Sequence, residues 1–119
     1  MIKIIIRLLL LRLKRAESEN RLVQRLKSFT RQKLLIIDEI GYISLDKEDA
    51  NLFFQLISRR YEQRLTIITT NKNLSKWSTI FRDSVIANAI LDRLLYHSHI
   101  VSIVGPSYRI KDVMDSFEN

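Results

Sequence analysis

The apolar positions of this chain change period several times, and each change marks an element. Ile2 to Ile6 is apolar apart from Lys3 and rich in β-branched residues, which predicts a short strand. From Leu8 to Ser28 the spacing turns helical: Leu9, Leu13, Ala16, Val23 and Leu26 share one face of a single expected helix. Leu34-Leu35-Ile36-Ile37 then runs without interruption into Asp38-Glu39, the pattern of a strand covered on both faces. Gly41 to Leu45 reads as a turn. Asp46 is a suitable N-cap, with Glu48 and Asp49 at the positive end of the helix that follows. That helix places Ala50, Phe53, Phe54, Ile57 and Tyr61 on its inner side.

Leu65 to Thr70 predicts a second covered strand, ending at Asn71. Leu74 to Phe81 reads as a short helix capped by Asn73 or Ser75. Val85 to Tyr96 reads as another, with Ala87, Ile90, Leu91 and Leu94 inward. Ile100 to Val104 is a third apolar strand, broken by Gly105-Pro106, and Tyr108 to Phe117 is a polar tail. Strands alternating with helices imply right-handed crossovers, hence an α/β domain with a mainly parallel sheet and flanking helices.

Composition narrows the chemistry. There is no cysteine, so disulfides, thiolate metal sites and cysteine nucleophiles are excluded. His97 and His99 are too few for a histidine-rich metal site. With only Gly41 and Gly105, no Gly-rich phosphate loop can be written within these 119 residues. Charge is uneven: residues 1–33 hold ten Lys and Arg against Glu17 and Glu19, a net +8, and the remainder sums to −1. A basic segment on a neutral body points either to a polyanion partner or to a solvated helix face. Within the opening apolar run the longest uncharged stretch, Leu8 to Leu11, falls far short of the ~20 residues that span a bilayer. No membrane partner is expected, although a basic apolar helix could lie on a membrane surface.

In open parallel sheets, function collects at the carboxyl ends of the strands. One strand delivers Asp38 and Glu39 there and the next delivers Thr69, Thr70 and Asn71. An apolar strand ending in Asp-Glu is the Walker B arrangement of nucleotide hydrolases. The first acid can hold Mg²⁺ beside the phosphates, and the second can polarise the attacking water. An Asn on the neighbouring strand can orient that water. Acids also end strands simply by facing solvent, and the parallel Asn is what favours the chemical reading.

Longer motifs make a resemblance specific. Leu34 to Tyr42 (LLIIDEIGY), Asp46 to Glu62 (DKEDANLFFQLISRRYE), Thr66 to Lys72 (TIITTNK), Lys76-Trp77, Ala89 to Leu95 (AILDRLL), His97-Ser98-His99 and Ser107-Tyr108-Arg109 resemble the IstB family. These are DnaC-like AAA+ ATP-binding proteins that assist transposition of insertion sequences. The likeness covers roughly residues 8–112, while residues 1–7 look divergent. It implies part of an AAA+ P-loop NTPase sheet, with ATP and Mg²⁺ as cofactors and a cytoplasmic location. Position by position, it implies Asp38 as the metal-site acid, Glu39 as the catalytic acid and Asn71 as the γ-phosphate sensor. Arg93 would be the finger that reaches a neighbouring subunit's nucleotide. Read without the family, Arg93 is a surface ion pair with Asp92 or a helix neighbour. Arg109 could be structural.

Family members carry the first strand and the phosphate loop upstream of the matched segments, so the chain is expected to represent the carboxyl-terminal part. Asp38 alone does not make a nucleotide site, because Mg²⁺ is held jointly with phosphates. Three functions follow as expectations. The first is a truncated ATP-binding subunit for DNA transposition, partnered by DNA and by a transposase or full-length family members. The second is a non-enzymatic DNA-binding or assembly module working through residues 1–33. The third is a non-functional remnant. A sheet lacking its phosphate-loop strand would expose apolar edges, so marginal stability and self-association are also expected.

Overall fold

A computed structural model describes residues 1–96. The element order is β1 (Ile2–Ile5), α1 (Ile6–Ser18), α2 (Leu22–Arg31), β2 (Leu34–Ile40), α3 (Lys47–Arg60), β3 (Leu65–Thr70), α4 (Trp77–Phe81) and α5 (Ser84–Leu95), with a 3₁₀ turn at Leu74–Lys76. The strands form a parallel sheet in the order β1-β2-β3. Right-handed crossovers put α1, α2 and α3 on the same side of such a sheet.

Register separates the two faces. Ile4 pairs with Ile37, and Leu35 and Ile37 pair with Thr66 and Ile68 on the helix side. Leu35 and Ile37 are fully buried there. The opposite face carries Lys3, Ile5, Ile36, Asp38, Leu65, Ile67 and Thr69, and among these Ile5, Leu65 and Ile67 stay exposed. The expectation of strands covered on both faces is therefore corrected. The described helices cover one face only, and β3 pairs on one side only among the described residues.

The single helix expected over 8–28 is two. Glu17 to Asn20 offers nothing apolar to bury, and Asn20 turns left-handed at φ 58°, a conformation that Asn tolerates. The Arg21 amide donates to the Ala16 carbonyl at 2.7 Å and closes the corner. The break re-phases the second segment, so Leu26 and Phe29 are buried while Val23 is exposed.

Helix α3 begins as expected at Asp46, which forms a reciprocal capping box with Asp49. Lys14 from α1 reaches the same corner, 2.7 Å from Asp49 and 3.4 Å from Asp46. Ala50, Phe53 and Ile57 are buried, but so are Leu52 and Leu56, because α1, α2 and α5 all pack against α3. Phe53 stacks on Phe81, and Trp77 tilts against Phe81, which fixes α4. Helix α5 is capped by Asp83, whose side chain accepts from the Val85 and Ile86 amides. Ala87 and Ile90 are buried, with Leu91 and Leu94 packed beside them. The strand expected at 100–104, Gly105-Pro106, Arg109, the two histidines and the tail lie outside the described residues.

One buried cation ties the helix layer to the sheet. Arg60, the last residue of α3, is 2% exposed and meets no carboxylate among the described residues. Its guanidinium donates to the carbonyls of Phe29, Thr30, Gln32 and Leu65 and to Thr66 Oγ1, at 2.7–3.3 Å. Burial and the nearby Arg64 charge both lower its pKa from an ordinary value far above neutrality.

Candidate functional site

The carboxyl ends of β2 and β3 form the site, and a backbone irregularity shapes it. The ladder runs evenly as far as Ile37–Ile68, then shifts so that Ile40 pairs with Thr70. Glu39 lies within the shift at φ 68°, a left-handed conformation unusual for a side chain of this kind. Two hydrogen bonds stabilise it. The Glu39 amide donates to Thr69 Oγ1 at 3.1 Å, and that hydroxyl donates to Asp38 Oδ1 at 3.0 Å. One threonine thus sets both the carboxylate of the first acid and the backbone of the second. Thr70 repeats the device one residue on, donating to the Ile40 carbonyl at 2.7 Å.

Asp38 shares the open face with Lys3, whose ammonium stands 3.7 Å from Oδ2. The lysine side chain is 66% exposed, so the pair is loose and weakly stabilising. Glu39 points to solvent. Asn71 follows β3, and its amide donates to the Ile40 carbonyl at 3.4 Å. Its side chain packs across Gly41, which has φ 110°; a Cβ there would lie 2.3 Å from Asn71 Oδ1 and 2.7 Å from Lys72 Cγ. Glycine is required twice over, by the dihedral and by the approach of Asn71.

Asp38, Glu39 and Asn71 therefore meet at one border of the sheet. Arg93 does not join them. It lies exposed on α5 with its Cζ 4.9 Å above the centre of the Tyr61 ring, a cation–π contact, and among the described residues it makes no ion pair with Asp92 or a helix neighbour. It lines a small pocket of about 170 Å³ with Arg60, Leu65 and Thr66, at the beginning of β3. Asn71 stands at the end of that strand, about 20 Å away along a chain rising ~3.3 Å per residue.

Magnesium accepts one or two protein carboxylates and completes its octahedron with water and phosphate oxygens. Asp38 alone can serve as such a carboxylate, which leaves Glu39 free of the ion. Among the described residues no group of three His, Asp or Glu could hold an ion by itself. The residues fit an ion shared with a phosphorylated ligand, not a closed protein cage.

The sequence brought Thr69 to this edge without a role and Gly41 only as part of a turn, and it did not mark Lys3. Thr69 and Gly41 lay inside quoted motifs, but only the register shift shows what they hold.

A one-sided parallel sheet with acids and an amide at its carboxyl border defines an α/β protein with the architecture of part of a P-loop NTPase domain. The family described as IstB-like ATP binding protein matches residues 3–116, and the chain belongs to it. It is 64% identical over 104 residues to the insertion sequence IS232 putative ATP-binding protein of Bacillus thuringiensis subsp. berliner, covering 87% of this chain and 42% of that relative. It is 48% identical over 100 residues to the insertion sequence IS21 putative ATP-binding protein of Pseudomonas aeruginosa, covering 84% and 38%. With the insertion sequence IS5376 putative ATP-binding protein of Geobacillus stearothermophilus it shares 47% over 100 residues, covering 84% and 40%. The chain spans about two-fifths of the length of these relatives. Among the described residues no helix is long and apolar enough to cross a membrane.

Proposed function

We propose that this chain supplies the acid-and-sensor half of an Mg²⁺–ATP site in an insertion-sequence ATP-binding protein, and that its role is to assist DNA transposition. The observation that carries the reading is the Thr69 bridge, which holds Asp38 and Glu39 in one fixed arrangement beside Asn71. In this reading Asp38 is the Walker B acid and would hold the ion jointly with phosphate oxygens. Glu39, solvent-facing and left-handed, would accept a proton from water. Asn71, pressed over Gly41, would orient that water. The ion would supply charge neutralisation at the transferred phosphoryl group.

Arg93 acts in another subunit's site. Its remoteness from Asp38 in the same chain suits a finger working in trans, which would leave its seat on Tyr61 to reach the neighbouring nucleotide. DNA, a transposase and further family copies are the partners this role implies, and the exposed Ile5, Leu65 and Ile67 suit self-association.

The experiment is a titration of a fluorescent ATP analogue, in Mg²⁺ and in EDTA, against this chain mixed with the phosphate-loop segment of a family member, which supplies the other half of the site. The expected result is a Mg²⁺-dependent signal that Asp38→Asn and Asn71→Ala each weaken. A signal indifferent to Mg²⁺, or to both substitutions, defeats the reading.

A further inference from the structure

Beside Asn71 lies a second pocket that the acid pair does not use. It measures about 250 Å³ between the loop after β2 and the start of α4, with Tyr42, Ser44, Lys72, Lys76 and Thr79 along its walls. Gly41 lines it too, so the residue that makes room for Asn71 belongs to both places. The lining is cationic. Lys72 and Lys76 are exposed, neither has an ion pair among the described residues, and no carboxylate stands on the walls.

Helix α5 carries the matching charge. Asp92 is exposed and makes no ion pair among the described residues. Asp83, the acid at the start of this helix, is engaged as its cap by the Val85 and Ile86 amides. Within one chain Asp92 and the pocket stand apart. Arg93, the residue after Asp92, lines a cavity at the beginning of β3, whereas Lys72 follows the end of that strand. The 6 residues of β3, rising ~3.3 Å each, separate those ends by about 20 Å. A contact between Asp92 and the pocket therefore joins two copies.

We infer that Asp92 of one copy docks into the Lys72–Lys76 pocket of the next, in the same head-to-tail contact that carries Arg93 to the neighbouring nucleotide. The inference rests on Arg93 working in trans, as proposed above. Consecutive helical residues point about 100° apart from Cα atoms ~3.8 Å distant. A helix that sets Arg93 beside Asn71 thus sets Asp92 within a side chain's length of Lys72, the residue after Asn71. A carboxylate between two ammonium groups makes charge-assisted hydrogen bonds, and the pocket has room for one such side chain. A nucleic acid fits less well, because its charges repeat every few ångströms while the pocket supplies two cations with Ile43 and Ile80 beside them. The two surfaces in contact differ, so the assembly grows as a row or ring and not as a closed pair. Gly41 and Lys72 flank both places, so the arriving acid also steadies the loop that seats Asn71.

The test is sedimentation velocity of this chain over a concentration series, without nucleotide. Asp92→Lys and Lys72→Glu/Lys76→Glu are measured separately and then mixed in equal amounts. Alone, each variant brings like charges together, and association should weaken at least about tenfold. In the mixture every contact between unlike variants joins opposite charges again, and association should return to the wild-type level. The wild type carries +7, so both variants stay net positive and attraction between whole molecules does not explain a recovery. Arg31→Glu/Lys33→Glu, which reverses two exposed charges elsewhere, should associate as the wild type does. Unchanged association of either variant alone, a mixture that recovers nothing, or a wild-type chain that is monomeric throughout overturns the contact. An equal loss in the control leaves only net charge and overturns it too. A mixture that recovers nothing while the pocket variant loses affinity for labelled duplex DNA assigns the lysines to a nucleic acid instead. Nucleotide is absent throughout, so the ATP titration stands or falls by itself.

Discussion

Thr69 donates its hydroxyl proton to Asp38 Oδ1 at 3.0 Å while accepting the amide of the adjoining Glu39 at 3.1 Å. The relay crosses from β3 to β2 where the ladder shifts, so it holds both strand ends and the left-handed turn at Glu39. Thr69→Val keeps the shape and removes the relay, leaving one amide and one carboxylate oxygen short of a partner. Because both groups have some access to water, the expected cost is about 1 kcal/mol in the urea midpoint. The functional loss should be larger: Mg²⁺-dependent nucleotide binding should fall as in Asp38→Asn, and Thr69→Ser should restore it. Equal behaviour of the Val and Ser variants would remove the hydroxyl from the site.

Gly41→Ala should misplace Asn71. The added methyl would meet Asn71 Oδ1 and Lys72 Cγ, and alanine disfavours φ 110°. The backbone alone predicts a loss of about 1–3 kcal/mol. Amide NMR shifts confined to the ends of β2 and β3, with the corner between α1 and α2 undisturbed, would show that the effect is local.

Arg60 governs global stability. Arg60→Met fills much of the same volume yet strips donors from the carbonyls of Phe29, Thr30, Gln32 and Leu65. A cost of at least about 3 kcal/mol is expected, since several acceptors become unsatisfied together. Arg60→Lys should recover little, because one ammonium cannot span the directions that the fork covers. Chemical denaturation of the two variants measures both statements.

The corner of α1 and α3 predicts opposing pH effects. Hydrogen bonding from the Asp49 amide, aided by Lys14, holds Asp46 below its ordinary value. Its contribution is present above the usual carboxylate range and disappears as pH falls through the lowered pKa. Lys14 is raised, chiefly by its hydrogen bond to Asp49, so its contribution lasts through neutrality and is lost only at strongly alkaline pH. Glu48 is raised by sharing a hydrogen bond with Glu17, so the stability it adds is present at low pH and lost as pH rises through its pKa. Asp46→Asn should therefore flatten the acid limb of a stability–pH curve while keeping a capping side chain. Glu17→Gln should raise stability near neutral pH. Urea midpoints from pH 3 upward check both.

Several elements were legible because they depend on neighbours in sequence. The Asp46 cap, the inward stripe of α3 and the apolar run into Asp38-Glu39 needed only local periodicity and charge. The same holds for Asn71 at the carboxyl end of the next strand. The family motifs were legible for the same reason, being contiguous. The broken helix was not legible, because its leucine spacing continues across the corner at Glu19–Arg21. Burial of β3 was overestimated, because an apolar run says which residues favour a covering layer but not whether a helix supplies one.

From the chain of letters alone came the α/β alternation, the acids and amide at the strand ends, the family, and the excess of positive charge near the start. Each is a property of composition or of spacing within one element. Tertiary structure decided that Thr69 bridges the acids, that Gly41 makes room for Asn71, and that Arg60 of α3 binds carbonyls at the end of α2. Those are distances between residues far apart in sequence, set by strand register and helix packing, and no local pattern encodes them.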